Sequence, residues 1–313
     1  MLEEEPKARP KTASPAQRLR STMAAVRVSL SWLGVRKTLT REQKAQAADT
    51  FGAESEFLSA GKKLLDTRHP AYKAVTSIRS RIVAYWKGIT LPFPEPGVRL
   101  IRQEDVEAFD LQLATLKAEL EEAVGQLDAE YASLKSAARE RLGRLYNAAD
   151  YPDSLLGLFE VQWDYPSVEP PLYLRQLSPE LYRQECQRVA ARFDEAVRLA
   201  EEAFTGELAD LVSHLRERIS GQDDGKPKVF RDSAVENLSD FFERFRKLSI
   251  GSNQQLDQLV EQAQAIMRGV KPEQLRDSQS FRTHVAAELA NVQTALDQLL
   301  VDRPRRNILR RPK

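Results

Sequence analysis

From Glu104 to Asn147 the chain has no proline, and its apolar residues recur at alternating steps of three and four: Val106, Phe109, Leu113, Leu116, Leu120, Ala123 and Leu127. That spacing lays a narrow apolar stripe along one side of a helix, the seam by which one helix buries itself against another. Two steps of four meet at Leu127 and Tyr131, a stutter that locally unwinds such a seam, before Leu134, Ala138, Leu142 and Leu145 continue it. At ~1.5 Å per residue the stretch makes a rod on the order of 65 Å long, which needs a partner helix. A second seam follows Ser178-Pro179-Glu180, a serine cap with proline in the first turn. It runs through Tyr182, Cys186, Val189, Phe193, Val197, Ala200, Phe204, Leu208, Leu211, Leu215 and Ile219 to about Ser220. The two rods match in length and predict an antiparallel, coiled-coil-like helical hairpin over 98–220. An a/d seam satisfied within one chain reads the same as one satisfied between two copies, so a homo-oligomer remains open.

Before the rods, Val26, Val28, Leu30 and Trp32 alternate with Arg27, Ser29 and Ser31, the period of a half-buried strand ended by Gly34. Thr40 and Gln43 form a capping box for a short helix. A further helix is expected over about 53–66, and a third from His69-Pro70 to about Lys87. LPFPEPG (91–97) is a rigid proline turn leading into the first rod. Between the rods, residues 148–177 are rich in aromatics and proline; Phe159, Val161 and Trp163 alternate as a short strand that could pair with the one at Val26. This segment is placed at the tip of the hairpin, with Phe159, Trp163 and Tyr165 as candidate partner-binding residues. Residues 221–229 read as a linker. Three shorter helices then occupy about 233–248, 253–268 and 278–301, with apolar sides such as Phe242, Phe245 and Leu248 on the first. The expected fold is mainly all-α: a flexible basic arm (1–25), a small mixed N-terminal region (26–97), the hairpin, a C-terminal helical unit (230–301) and a basic tail (302–313).

Charge divides the chain. Residues 1–103 carry 19 Lys/Arg against 9 Asp/Glu, and residues 104–301 carry 22 against 36. The third helix adds an uninterrupted basic stretch: Arg68, Lys73, Arg79, Arg81 and Lys87, with Tyr85 and Trp86 among them and no acid from Thr67 to Pro94. Basic groups neutralise phosphates and aromatics stack on unpaired bases, so these residues are candidates for nucleic acid or for an acidic protein partner. The bland alternative is a helix that packs its apolar stripe and docks its arginines on the acidic rods.

Chemical signatures are few. Gly221 to Lys226 leaves only three residues between the glycines, and Pro227 stands where a phosphate-binding loop needs a hydroxyl. His69, His214 and His284 are far apart and lack cysteine partners, which argues against a His/Cys metal site and leaves carboxylate-only sites open. The single Cys186 lies on the apolar seam, as a buried structural thiol would. No cofactor, metal or catalytic residue is assigned. No apolar run is long enough for a membrane span, and the N-terminus lacks the apolar core of a signal peptide, so a cytoplasmic protein is expected.

Taken in order, the VRVSLSWLGVRK strand, the long acidic helix, the FEVQWDY segment, the second long helix and the FRDSAVENL opening of the C-terminal unit resemble a family of bacterial proteins, also found in phages and plasmids, defined as a domain of unknown function. The resemblance spans about 26–301. It implies company with AAA-type ATPases and von Willebrand A-type proteins, and no catalytic residue. Two functions are carried forward: a non-enzymatic scaffold or adaptor for protein assembly, with an AAA-type ATPase as candidate partner, and a nucleic-acid-binding protein.

Overall fold

The computed structural model describes residues 13–220 and 232–301. The expected linker, the basic tail and residues 1–12 of the arm lie outside the described residues. In chain order the elements are α1 (Pro15–Thr22), β1 (Met23–Trp32), β2 (Arg36–Thr38), α2 (Arg41–Thr50), β3 (Gly61–Lys63), α3 (Pro70–Gly88), β4 (Thr90–Pro92) and β5 (Val98–Arg102). Then come α4 (Val106–Ala129), α5 (Tyr131–Leu142), β6 (Phe159–Asp164), α6 (Leu174–Leu177), α7 (Pro179–Ile219), α8 (Ser233–Leu248), α9 (Gln254–Met267), α10 (Pro272–Asp277) and α11 (Gln279–Val301). Helix dominates, with short antiparallel strands beside it. Among the described residues no helix is long and apolar enough to cross a membrane.

The chain divides into two compact units, neither continuous in sequence. The α7 unit contains the described residues of 13–25, 89–103 and 166–301. Its axis begins where expected, with Ser178 Oγ accepting from the Leu181 amide at 3.4 Å and Pro179 in the first turn. α11, α1, α8 and β4 pack on it. The buried face runs through Val189, Phe193, Ala196, Ala200, Phe204 and Leu208, then widens to take Val212 as well as Leu215. Phe204 meets Phe241 and Phe245 of α8 edge-on at 6.2 and 5.0 Å, and Val285, Leu289, Val292 and Leu296 of α11 close the core. Cys186 is half-buried rather than buried. Within the arm expected to be flexible through residue 25, residues 15–22 form α1 and residues 23–25 begin β1. Ser14 and Gln17 form a capping box and Pro15 occupies the first turn, where a missing amide hydrogen costs nothing. Buried Leu19 ties α1 into the core.

The α4 unit contains 26–88 and 104–165. α4 packs on α3 and β6, and its seam from Phe109 to Leu127 is buried as the spacing predicts. The rod is interrupted at Glu130, at the stutter between Leu127 and Tyr131, and resumes as α5. The expected hairpin of the two rods is not confirmed, because the packing partners found for each rod lie inside its own unit. β1 and β6 pair antiparallel from Arg27↔Asp164 to Trp32↔Phe159, with α4 beside them. The helix expected over 53–66 is absent: β3 forms there and pairs with β2, Lys37 opposite Lys62. Gly61 permits the approach, since a Cβ there would sit 3.2 Å from the Lys37 carbonyl oxygen.

Candidate functional site

The basic residues of α3 and the aromatic residues of β6 were separate candidates in sequence. The structure puts both in the α4 unit, on elements that pack against α4. α3 buries Tyr72, Val75, Ile78 and Ile82 and leaves its charges outward. Arg79 lies over the Trp32 ring, its guanidinium carbon 5.1 Å from the centroid, and Trp32 meets Phe159 edge-on at 5.1 Å. Arg81 forks onto the Glu119 carboxylate of α4. Tyr85 stacks on Phe109 at 5.8 Å. One residue further along α4, Asp110 accepts from Trp163 Nε1 at 2.7 Å and from the Tyr165 hydroxyl at 3.4 Å. Burial, with the Asp110 carboxylate second, pushes the Tyr165 phenol up to about 12.

β6 is aimed by the loop before it. Asp150 is gripped by Lys37 Nζ at 2.5 Å and Lys62 Nζ at 2.6 Å, and Lys62 also donates to the Leu145 carbonyl at 2.6 Å. The Asp150 and Lys62 side chains are only 2% and 5% exposed. The two ammonium groups hold the Asp150 carboxyl below its usual range. Tyr151 donates to the Leu64 carbonyl at 3.0 Å, and Asp128 of α4 accepts from the Leu155 amide at 2.6 Å. Between β1 and β6, Arg27 and Asp164 close the far end with a forked pair at 2.9 and 2.5 Å.

Phe159, one of the expected partner-binding residues, has its side chain buried, 3% exposed. Trp163 is half-buried and Tyr165 exposed. Of the basic set, Arg79 and Arg81 are engaged within the unit. Arg68 is 87% exposed and lies 3.5 Å from Asp66. Lys73 and Lys87 are exposed and show no ion pair among the described residues. Trp86 is half-buried. Two features escaped the sequence reading. Arg68 shares a groove of about 430 Å³ with Lys63 and Arg141, beside Asp66 and over Leu64, Leu134 and Ala138. In the α7 unit, Leu172, Tyr173, Leu177 and Leu181 are 75%, 63%, 75% and 50% exposed within one short stretch. The groove joins residues distant in the chain, which no local motif marks. Tyr173, Leu177 and Leu181 of the apolar stretch recur at steps of four, but spacing alone does not tell an exposed face from a buried one.

Among the described residues no group of His, Cys, Asp and Glu is arranged to hold a metal. Fold and surface together define a mainly helical protein with small antiparallel strands. Protein-family models, curated proteins and solved structures all give no match to the chain.

Proposed function

We propose that the protein is a non-enzymatic helical adaptor that binds another protein. The observation that carries this reading is the exposed apolar stretch from Leu172 to Leu181. Four large apolar side chains held in water over so short a stretch mark an interaction surface, whereas single exposed ones are ordinary. The family resemblance makes an AAA-type ATPase the first partner to try. The test is binding of the purified protein to an AAA-type ATPase from the same genome, by biolayer interferometry, with a Leu177→Ser/Leu181→Ser variant beside it. The adaptor reading expects micromolar or tighter binding and a loss of about tenfold or more in the variant. Equal binding by the variant removes the apolar stretch from the proposal, and absence of binding removes the ATPase. Sedimentation of the protein alone reports whether the stretch instead joins two copies.

A second reading, nucleic-acid binding, is favoured by the groove of Lys63, Arg68 and Arg141, three cations around the single Asp66. Lys73 and Lys87 of α3 add exposed charge in the same unit. Anisotropy with labelled single- and double-stranded DNA and RNA across a salt series tests it. Phosphate contacts release counterions, so affinity should fall steeply with salt and weaken in Arg68→Ala/Arg141→Ala.

A further inference from the structure

Among the described strands, β6 is bonded along one side only, to β1. A cavity of about 210 Å³ opens beside it, lined by Leu120 and Val124 of α4, by Leu156, and by four successive residues, Phe159 to Gln162. Side chains of a strand alternate between its two faces, so a groove on one face touches every second residue. Contact with four in succession places the groove along the strand's edge, where main-chain N–H and C=O groups not used by β1 are directed. Leu156 stands at its rim, 60% exposed.

Charge indicates what would fit there. Glu121 and Glu160 line the groove against Lys117 alone. Neither carboxylate forms an ion pair among the described residues; Glu160 accepts only from Gln162 Nε2, at 3.4 Å. The elements that build the groove are acidic throughout. α4 carries Glu107, Asp110, Glu119, Glu121, Glu122 and Asp128 against one lysine, and no Lys or Arg occurs from Tyr146 to Leu174.

We propose that this edge docks an extended, basic peptide segment of another protein. The peptide adds a strand to β6, sets an aliphatic side chain against Leu120 and Val124, and directs Lys or Arg side chains to Glu121 and Glu160. Main-chain bonds supply the affinity in such strand addition, and alternate side chains supply the selectivity. The site uses none of the Leu172–Leu181 stretch, so it stands or falls independently of the adaptor reading built on that stretch.

Fluorescence anisotropy of the full-length protein tests it, with a labelled peptide of about seven residues alternating valine and arginine, long enough for a typical strand. Saturable binding with a Kd of about 1–100 μM at low salt is expected. Glu121→Lys/Glu160→Lys should weaken it about tenfold or more, as should N-methylation of alternate peptide nitrogens, which removes the donors that face the edge. Should the double variant not fold, Lys117→Glu replaces it and should tighten binding by about threefold or more. Absence of saturable binding overturns the site. Binding indifferent to N-methylation is charge attraction alone and overturns strand addition, and affinity unchanged in the charge variants overturns the recognition. Concentration-dependent dimerisation that the peptide competes away would assign the edge to a second copy and overturn the proposed partner.

Discussion

The two units are held together by different physics. The α7 unit is a core of phenylalanine and aliphatic side chains gathered on one long helix, and its ion pairs, such as Arg20–Glu169 and Arg276–Asp232, lie largely on the surface. The α4 unit also has an apolar seam, but its loop and strands are fixed by charges and polar donors: Lys37 and Lys62 on Asp150, Asp128 on Leu155, Asp110 on Trp163, Arg79 on Trp32. Apolar burial is non-directional and tolerates any arrangement that fills space. A buried carboxylate between two ammonium groups tolerates one arrangement, and it depends on pH. The same chain thus builds one unit by area and the other by placement. All three tryptophans, Trp32, Trp86 and Trp163, are in the α4 unit, so tryptophan emission reports on that unit.

The largest effect should come from the α7 core. Phe241 is 1% exposed and packs against Phe204, Phe242 and Phe245. Phe241→Ala removes that area and leaves a cavity that close-packed neighbours fill only in part, at a cost of about 3–5 kcal/mol. Urea unfolding followed by far-ultraviolet circular dichroism measures it. If area is what holds this unit, the loss should be the same at pH 5 and pH 8; a loss that varies with pH would break the distinction drawn between the units.

Next is Asp150→Ala, which leaves the Lys62 ammonium buried with the Leu145 carbonyl as its remaining partner. Breaking a buried pair costs about 3–5 kcal/mol, and the retained carbonyl and the exposed Lys37 place this case near about 3. Urea unfolding followed by tryptophan emission reads it. The wild type also carries a pH signature. The Asp150 carboxyl is held below its ordinary value of 3.8 in the folded state by Lys37 and Lys62. A depressed folded pKa gives stability that is full above the ordinary value and is lost as pH falls from about 4 through the folded value. Asp66, lowered first by the Arg68 amide, and Asp164, lowered by Arg27, add to the same acid loss. Asp150→Ala should therefore flatten the acid limb of stability against pH. An unchanged limb would mean that the cluster is not the unit's acid-sensitive element.

Legibility in the sequence follows the same division. The seams of α4, α7, α8 and α11 were legible because a helix buries a periodic stripe whatever lies opposite. The stutter at Leu127 and Tyr131 was read only as an unwinding of the seam within one continuous rod, whereas the helix itself is interrupted at Glu130. A stripe does not name its partner, however, so equal rod lengths suggested a hairpin that the packing does not confirm. Pro15 lies in the arm expected to be flexible, yet in the first turn it is well placed to begin α1. The stretch 53–66 looked helical until tertiary pairing of Lys62 with Asp150, and of β3 with β2, overrode local preference. Arg79, Arg81, Phe159 and Trp163 were singled out in sequence. The groups that engage them, Trp32, Glu119 and Asp110, lie on other elements, and no spacing along the chain connects them.

The smallest effect should come from Arg81→Ala. Arg81 and Glu119 remain 52% and 38% exposed, and pairs between exposed ions contribute about 0–1 kcal/mol because water and salt screen them. A double-mutant cycle with Glu119→Ala should return a weak coupling, weaker again in added salt. The outcome decides what α3 is for. Weak coupling leaves Arg81 able to exchange a carboxylate for a phosphate, and Arg81→Ala should then lower any nucleic-acid affinity along with Arg68→Ala. Coupling well above ~1 kcal/mol would place Arg81 with Lys62 among the charges that hold the α4 unit together. In that case Lys73, Lys87 and the groove of Lys63, Arg68 and Arg141 would remain as its cationic surface.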